Sequence, residues 1–258
     1  MILDEIAGKT RERIAEEKKR LPDAEIIKMA EALPVSEKRP FYEALKAPGI
    51  SFICEVKKAS PSKGVIAQDF PYLDIAKEYE AAGASAISCL TEPFYFQGSD
   101  TYLQNIVAQV QIPVLRKDFT VDPYMIRQAK LLGASAVLLI CAILDRSELC
   151  EYQAIAEELG LSALVETHDE KEIETALSAG AKIIGVNNRD LRDFTVDINN
   201  SVRLREMVPT DIAFVSESGI KTREDIVRLT ENGTDAVLIG ETLMRNPDKK
   251  AALDALRP

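Results

Sequence analysis

Short apolar runs alternate with amphipathic, helix-forming segments along most of the chain after residue 48. Runs such as AISCL, AVLLI and KIIGV follow a helical segment through a turn that contains glycine. Glycine just after a helix commonly adopts the left-handed conformation that ends it, so each boundary indicates a helix end, a turn and a strand start. The eight predicted strands are 51–57, 84–90, 113–117, 135–140, 162–166, 182–187, 212–216 and 235–239.

The spacing of these strands indicates a parallel sheet. Their starts lie 20 to 33 residues apart, which leaves room for a helix between each pair of strands. Eight such units in about 210 residues predict an α/β protein of the (β/α)8 TIM barrel class. An open, doubly wound sheet is the structural alternative, but it usually has fewer strands, and no G-x-G-x-x-G sequence follows the first strand. We expect one barrel domain over 1–258, with residues 1–48 forming an N-terminal helical extension.

Charge narrows the classes of partner. The chain has 32 Lys plus Arg against 42 Asp plus Glu, a formal net charge of −10, which argues against binding to nucleic acid or to an anionic membrane. Apolar runs all fall well short of the ~20 residues that a membrane span needs. An acidic surface still allows a small basic pocket for an anion, and we expect the protein itself to be a monomer or a weak oligomer.

Cysteine and histidine usage limits the chemistry. The four cysteines form no C-x-x-C pair, which favours free thiols in a reducing cytoplasm. The N-terminal segment is charged and has no signal-peptide core, so we expect a cytoplasmic protein. With His168 as the single histidine, a histidine-based metal cluster or catalytic triad is disfavoured, and acid–base chemistry falls to Lys, Glu and Asp.

Polar side chains gather at the C-terminal ends of six predicted strands, in the sequences EVK, LTE, RKDF, VET, VNNRD and SESG. Barrel enzymes place their active sites at this edge. Because side chains alternate between the two faces of a strand, Glu55 and Lys57 share one face, which we predict to be the inward one. The residues expected to meet at the barrel mouth are Glu55, Lys57, Lys117, Glu166, Asn187 and Glu217. Lysines among carboxylates shift one another's pKa, which provides acids and bases without histidine.

Two glycine turns indicate a phosphate site. SESGI follows the seventh predicted strand and IGETLM follows the eighth, and each leads into a helical segment. Backbone N–H groups at these two places commonly hold a phosphate in TIM barrels. Ser60 would add a hydroxyl donor, and Lys57 or Lys63 would add positive charge.

Seven stretches of the chain occur in a family-specific order: EVKKASPSKG, LTEPFYFQGS, VLRKDF, LVETHD, GVNNRDL, VSESGI and LIGETLM. Together they resemble the indole-3-glycerol phosphate synthase family over essentially the whole chain. The resemblance implies conversion of 1-(2-carboxyphenylamino)-1-deoxyribulose 5-phosphate, a phosphosugar–anthranilate compound, to indole-3-glycerol phosphate, CO2 and water in tryptophan biosynthesis. It implies no metal and no organic cofactor.

The resemblance also implies roles for individual residues. Lys117 matches the general acid that protonates the substrate carbonyl, and Glu166 matches the proton acceptor of the later dehydration. Lys57 matches a lysine that faces the substrate carboxylate and shares in acid catalysis, and the division of work between the two lysines stays open. A supporting polar shell matches Glu55, Asn187 and Glu217, with Arg189 matching an arginine that organises it.

Substrate-binding residues follow from the same resemblance. The phosphate clamp corresponds to Ser60, Ser218, Gly219, Gly240 and Glu241. The apolar slot for the aromatic ring corresponds to Pro61, Phe96, Phe119, Leu138, Ile140, Leu191 and Leu238. Some family members have serine where Glu241 stands, and a carboxylate would repel phosphate, so we expect only the backbone N–H of Glu241 to take part. The chain has no Trp, so an aromatic lid from the extension cannot be Trp here.

Three alternatives remain at this point. Another phosphosugar barrel, phosphoribosylanthranilate isomerase, also has phosphate turns after its last two strands, but we would expect a Cys–Asp pair there in place of the two lysines. An aldolase would use Lys57 or Lys117 to form a Schiff base. A non-catalytic barrel would bind the phosphosugar without turning it over.

Overall fold

The computed structural model describes residues 2–190 and 193–258. Within these ranges eight parallel strands form a closed barrel. They are β1 Ser51–Val56, β2 Ala86–Leu90, β3 Val114–Lys117, β4 Ala136–Ile140, β5 Ser162–Thr167, β6 Ile183–Asn187, β7 Ala213–Glu217 and β8 Ala236–Ile239. Strand β1 closes the barrel by pairing with β8, with Ser51 opposite Ala236. The predicted TIM barrel is confirmed.

Helices surround the barrel and precede it. The extension contains α1 Ile2–Arg20, α2 Asp23–Glu31 and α3 Pro40–Leu45. The later helices are α4 Tyr72–Ala81, α5 Asp100–Val107, α6 Pro123–Leu131, α7 Arg146–Glu158, α8 Glu170–Ser178, α9 Asn199–Leu204, α10 Arg223–Glu231, α11 Glu241–Met244 and α12 Lys249–Leu256. A short hairpin, Ala59–Ser60 with Gly64–Val65, follows β1. Over the described ranges, no helix is both long enough and apolar enough to cross a membrane.

Local signals explain where the helices begin and end. Asp145 accepts a hydrogen bond from the backbone N–H of Glu148, whose carboxylate accepts one from the backbone N–H of Asp145, and this capping box begins α7. Gly133 ends the segment after α6 with φ +82°, a conformation that a side chain would strain. The turn chemistry therefore defines the alternation of helix and strand that the sequence predicts.

Alternating side chains divide the core into two layers. On β1, Cys54 and Val56 pack outward against the helices, whereas Ile53 points into the barrel. Leu164 on β5 also lies in the interior layer. The interior layer further includes Leu3, Ile6, Phe41 and Leu45, which belong to the N-terminal extension. The predicted inward face of β1 and β5 is thus the face that the structure has.

A buried ion pair fastens the extension to the barrel. Arg13 of α1 donates a 2.9 Å hydrogen bond to Asp118, which follows directly after β3. Thr91 donates a second bond to the same carboxylate oxygen at 2.7 Å. Burial opposes ionisation of Asp118, but the charges of Arg13 and Arg116 outweigh it, and the pKa of this carboxyl is lowered. That the whole chain forms a single domain stays a prediction, which this contact favours.

Candidate active site

A cavity of about 550 Å³ opens at the C-terminal ends of the barrel strands. Its walls contain every predicted site residue that the structure describes: Glu55, Lys57, Ser60, Pro61, Phe96, Lys117, Phe119, Leu138, Ile140, Glu166, Asn187, Arg189, Glu217, Ser218, Gly219, Leu238, Gly240 and Glu241. The remaining predicted residue, Leu191, lies outside the described residues. Side chains that are far apart in the sequence therefore converge on one site.

Lys117 lies between two carboxylates at the floor of this cavity. Its Nζ is 2.9 Å from Oε2 of Glu166 and 3.3 Å from Oε2 of Glu217. The Glu166 and Glu217 side chains are only 4% and 2% exposed, so water does little to stabilise their negative charges. Lys117 is consequently the principal counter-charge for both carboxylates.

The pKa values of Lys117 and Glu166 move so that both stay charged. Burial alone would favour the neutral amine of Lys117, but Glu166, Glu217 and Glu55 raise its pKa well above the usual range. Burial alone would also favour the neutral acid of Glu166, but the charges of Lys117 and His168, with hydrogen bonds from Lys117 and Asn187, lower its pKa. A proton donor and a proton acceptor thus stand in contact.

Glu217 is the carboxylate with the weaker support. Burial raises its pKa to about 7, against the lowering effect of Lys117 and with a further raising effect of Glu166. Its Oε1 is buried without a hydrogen-bond partner among the described residues. A Cβ atom added at Gly185 on β6 would overlap this oxygen, so the glycine provides the space that the carboxylate occupies. Glu217 therefore titrates within the neutral pH range.

Glu55 and Lys57 form an ion pair on the inward face of β1. Their side chains are 5% and 17% exposed, so the charged pair lines the cavity instead of facing solvent. A Cβ at Gly240 would overlap Oε2 of Glu55 and lie 3.0 Å from Nζ of Lys57. Glycine at the end of β8 is therefore what allows the pair to occupy the mouth.

Asn187 binds the other oxygen of Glu166, and Arg189 in turn binds Asn187. Asn187 Nδ2 donates to Oε1 of Glu166 at 3.2 Å. The backbone N–H of Arg189 donates to Oδ1 of Asn187 at 3.0 Å, and the Arg189 guanidinium donates to the carbonyl of Phe194 at 3.3 Å. These bonds fix the amide so that its N–H group points at the carboxylate.

The two glycine turns follow the adjacent strands β7 and β8, and both line the cavity. Ser218 and Gly219 follow β7 with φ values of +69° and +84°, and Gly240 precedes α11. The Glu241 carboxylate accepts a 3.0 Å hydrogen bond from Nε of Arg245 and lies 4.0 Å from Nζ of Lys63. Its charge is therefore balanced by two cations, which makes a carboxylate tolerable beside the predicted phosphate site.

Two cations of this region escaped the sequence analysis. Lys221 and Arg245 both line the cavity next to the glycine turns. Each stands within five residues of a glycine in a predicted phosphate turn, Gly219 or Gly240. This short separation in the sequence is a signal that could have placed both cations near the predicted phosphate site.

The apolar wall combines aromatic and aliphatic side chains. The rings of Phe96 and Phe119 are 6.0 Å apart between centroids and inclined at 40°. Glu92, which is fully buried, accepts hydrogen bonds from the backbone N–H groups of Phe94, Tyr95 and Phe96 at 2.7 to 3.0 Å. This carboxylate defines the shape of the loop that presents Phe96.

The extension contributes a part of the wall that the sequence analysis missed. Ile2, Leu3 and Ile6 of α1 line the cavity. The sequence marks them only as apolar positions on one face of a helix, which is the pattern of any packed helix. Their place over the barrel mouth depends on tertiary contacts.

His168 is a further residue to which the sequence analysis assigns no role. It follows β5, and its Nε2 lies 3.5 Å from Oε1 of Glu166. Its Nδ1 lies 3.0 Å from Oε2 of Glu172. Across the described part of the chain, no group of three or more His, Cys, Asp or Glu side chains is arranged to hold a metal ion.

Comparison with known proteins finds one family that matches nearly the whole chain. The family model for indole-3-glycerol phosphate synthase matches residues 3–256. A protein of that name from Ruminiclostridium cellulolyticum is 57% identical over 257 residues, which cover 100% of this chain and 99% of the relative. Another from Lacticaseibacillus paracasei is 52% identical with the same coverage. A crystal structure of 3-hexulose-6-phosphate synthase superposes with a TM-score of 0.66 at 16% identity, covering 81% of this chain and 98% of that one, and this likeness concerns the fold alone.

Proposed function

The chain belongs to the indole-3-glycerol phosphate synthase family, and we propose that Lys117 and Glu166 are the principal acid and base of its reaction. The activity is that of the family, a decarboxylating lyase of tryptophan biosynthesis. Its substrate is 1-(2-carboxyphenylamino)-1-deoxyribulose 5-phosphate, which undergoes ring closure, decarboxylation and dehydration. Each step makes a different demand on the cavity.

Ring closure needs a cationic hydrogen-bond donor at the substrate carbonyl. The attacking ring carbon loses its aromatic stabilisation, so the carbonyl oxygen must be protonated or strongly polarised as the bond forms. Lys117 is kept as an ammonium by Glu166 and Glu217. Because it is also nearly buried, its charge acts on the carbonyl with little screening by water.

Decarboxylation restores the aromatic ring. The substrate carboxylate is an anion beside an apolar wall, and it leaves as neutral CO2, so an environment that accepts the aromatic ring favours the loss. Lys57 lies on the cavity wall and carries the positive charge that would pair with this carboxylate on binding. Its partner Glu55 holds it in place before the substrate arrives.

Dehydration needs an acid for the departing hydroxyl and a base for the departing proton. Glu166 is the supported base, because its pKa is lowered and Asn187 fixes one of its oxygens. Lys117 lies on its other oxygen, and after regaining from water the proton that it gives in ring closure it again supplies the acid. Lys57 shares in acid catalysis in this proposal, as the second cation of the mouth.

Phosphate and ring bind at opposite sides of the reacting carbons. The phosphate would be held by backbone N–H groups of Gly219, Gly240 and Glu241, with hydroxyl groups of Ser60 and Ser218. The ring would lie against the apolar wall that includes Pro61, Phe96, Phe119, Leu138, Ile140 and Leu238. Leu191 and Arg189 complete the proposed set, Arg189 through its bond to Asn187.

Lys117 is poorly suited to the aldolase alternative. A Schiff base forms from a neutral amine, and enzymes that use one usually lower the pKa of the lysine. The carboxylates around Lys117 raise its pKa instead. Borohydride treatment in the presence of substrate should therefore leave no covalent adduct on Lys117.

The acidic net charge and the free cysteines bear on the partners and the location of the protein. A net charge of −10 favours an enzyme that binds no nucleic acid. Three of the four cysteines, all free, are buried, which suits a reducing cytoplasm. We expect a monomer or a weak oligomer, which sedimentation of the purified chain at several concentrations would test.

The observation that carries the proposal is the contact of Lys117 with Glu166 and Glu217 on the floor of the cavity. A fluorescence assay of indole-3-glycerol phosphate formation from the synthetic substrate tests it. Lys117→Ala should lower kcat by roughly 100-fold or more with a small change in KM, as expected for a group that acts when charge develops. Lys182→Ala, at an exposed lysine outside the cavity, is the control and should match the parent. A parental kcat in Lys117→Ala would refute the assignment.

A further inference from the structure

His168 contacts the proposed base without forming part of the described cavity wall. Both its ring nitrogens face carboxylates. Nδ1 lies 3.0 Å from Glu172 Oε2, and the backbone N–H of His168 donates to the same oxygen at 2.8 Å. Nε2 lies 3.5 Å from Glu166 Oε1 and is buried without a hydrogen-bond partner among the described residues. The ring is thus held by Glu172 and aimed at Glu166.

This geometry distinguishes the protonation states of the ring. In the neutral ring with its proton on Nδ1, the lone pair of Nε2 would face an oxygen of the Glu166 carboxylate, and two acceptors would oppose each other. An imidazolium donates from both nitrogens and removes this conflict. Carboxylates from three elements act on the ring electrostatically: Glu172 on α8, Glu166 on β5 and Glu217 on β7. Burial lowers the pKa of His168, but these carboxylates outweigh it and raise the pKa.

We propose that His168 is a positioning residue that acts through Glu166, holding one carboxylate oxygen ionised and in place while Lys117 holds the other. The proposal rests on the function proposed above for Glu166. Lys117 contacts Oε2, whereas His168 and Asn187 face Oε1, so each oxygen has its own donor. Glu172 in turn anchors the imidazolium, giving a row of alternating charges that leads out of the cavity.

The arrangement has a consequence for the base. A cation beside Glu166 favours its ionised form, and by linkage the ionised form favours the imidazolium to the same extent. Without the imidazolium, the pKa of Glu166 should rise, and a larger fraction of the enzyme would hold a protonated base at mildly acidic pH. Substrate affinity should change little, because the described cavity wall does not include the ring.

The first test uses the fact that the chain has one histidine. The ring protons of His168 can therefore be followed by NMR without assignment, in the parent and in two variants. In the parent, the midpoint should lie above the ordinary value of about 6.5. Glu166→Gln and Glu172→Gln should each lower it by roughly one unit. A midpoint at or below the ordinary value, or one that neither variant moves, would overturn the proposal.

The second test is kinetic. In His168→Asn, kcat at pH 6 should fall about tenfold, a part of the roughly 100-fold that a positioned general base supplies, while KM stays within about twofold. The acidic limb of its kcat profile should move to higher pH. Asn200→Ala is the matched control, since Asn200 donates to the His168 carbonyl at 2.9 Å and its loss disturbs the same backbone but spares the ring. An unmoved acidic limb in His168→Asn, or the same shift in Asn200→Ala, would reject the positioning role.

The two proposals fail in different ways. If Glu166→Gln keeps parental activity, the proposed base is wrong. If Glu166→Gln is inactive while folded His168→Asn retains the parental profile, only the role of His168 is wrong. If His168→Asn does not fold, the NMR titration of the parent and of Glu172→Gln still decides the question.

Discussion

The ammonium of Lys117 donates a 2.9 Å hydrogen bond to the carboxylate of Glu166, so the proposed acid and base of the reaction are in contact before the substrate binds. Each keeps the other charged against the cost of burial. A bound substrate replaces this contact. Lys117 then donates to the substrate carbonyl, and Glu166 faces the hydrogen that the reaction removes. The site therefore needs no rearrangement of protonation states before the first chemical step.

The ion pair of Lys57 with Glu55 predicts that two variants will differ in stability and yet both be nearly inactive. Lys57→Met would leave Glu55 buried without its cation, which should cost about 3 to 5 kcal/mol in the free energy of unfolding. The double variant Glu55→Gln, Lys57→Met removes both charges and should recover most of that loss, while both proteins stay nearly inactive. Urea unfolding and the product assay measure the two effects. A double variant that regains activity together with stability would show that the pair is only structural.

The apolar wall predicts an effect on substrate binding. Phe119→Ala should raise KM by roughly 5- to 150-fold, corresponding to ~1–3 kcal/mol of lost apolar and aromatic contact with the ring. Phe119 also packs near Phe96 and is buried, so thermal stability should fall as well. Phe119→Leu, which keeps most of the apolar volume, is the control and should give an intermediate KM. If stability falls and KM is unchanged, Phe119 belongs to the core and not to the substrate site.

Glu241 predicts an unusual result for a residue beside the proposed phosphate site. Its carboxylate accepts a hydrogen bond from Arg245. Glu241→Gln should weaken this ion pair and leave the guanidinium free to interact with the substrate phosphate. KM for the substrate, and the inhibition constant of inorganic phosphate, should stay the same or fall up to roughly fivefold, in line with a surface ion pair of less than about 1 kcal/mol. The backbone N–H is unaffected by the change. A severalfold rise in KM would show that the carboxylate itself contacts the substrate.

Glu217 predicts a pH dependence of stability. Its pKa is about 7 in the folded chain against 4.5 as the ordinary value, so the folded state binds more protons than the unfolded state between these pH values. Its contribution to stability must then fall as the pH rises from about 4.5 to about 7 and stay low above that. At roughly 1.4 kcal/mol per pKa unit, the loss amounts to a few kcal/mol.

The variant Glu217→Gln measures this contribution. Relative to the parent, its free energy of unfolding should be higher at pH 8 and should lose that advantage toward pH 5. Urea titrations at several pH values provide the comparison, with Glu224→Gln on the exposed start of α10 as the control. Equal pH profiles for Glu217→Gln and the parent would contradict the raised pKa.

Much of the site follows from the sequence because strand periodicity is strict. Alternation along β1 is enough to place Glu55 and Lys57 on the same face. Ile53, two residues before Glu55, lies on that face and packs in the barrel interior, so the face is the inward one. The glycine turns after β7 and β8 are equally local signals. Positions of this kind depend on neighbours two or three residues away.

Other parts of the site depend on contacts that no local pattern encodes. Ile2, Leu3 and Ile6 reach the cavity because α1 is fastened by Arg13 to Asp118, a residue 105 positions later. The sequence assigns no role to His168, because a single histidine indicates neither a metal site nor a triad. Its significance arises from Glu166 two positions before it and from Glu172, which the first turn of α8 brings back to the ring.

The most direct test of the account is a rapid-quench, single-turnover experiment with Glu166→Gln and the synthetic substrate. This variant keeps Lys117 next to a neutral amide, so ring closure and loss of CO2 should still occur, although more slowly than in the parent. Removal of the last proton should fail. We predict release of CO2 with accumulation of a decarboxylated, undehydrated intermediate, or a stall before it, and almost no indole-3-glycerol phosphate. Formation of that product at the parental rate would contradict the assignment of Glu166 as the base.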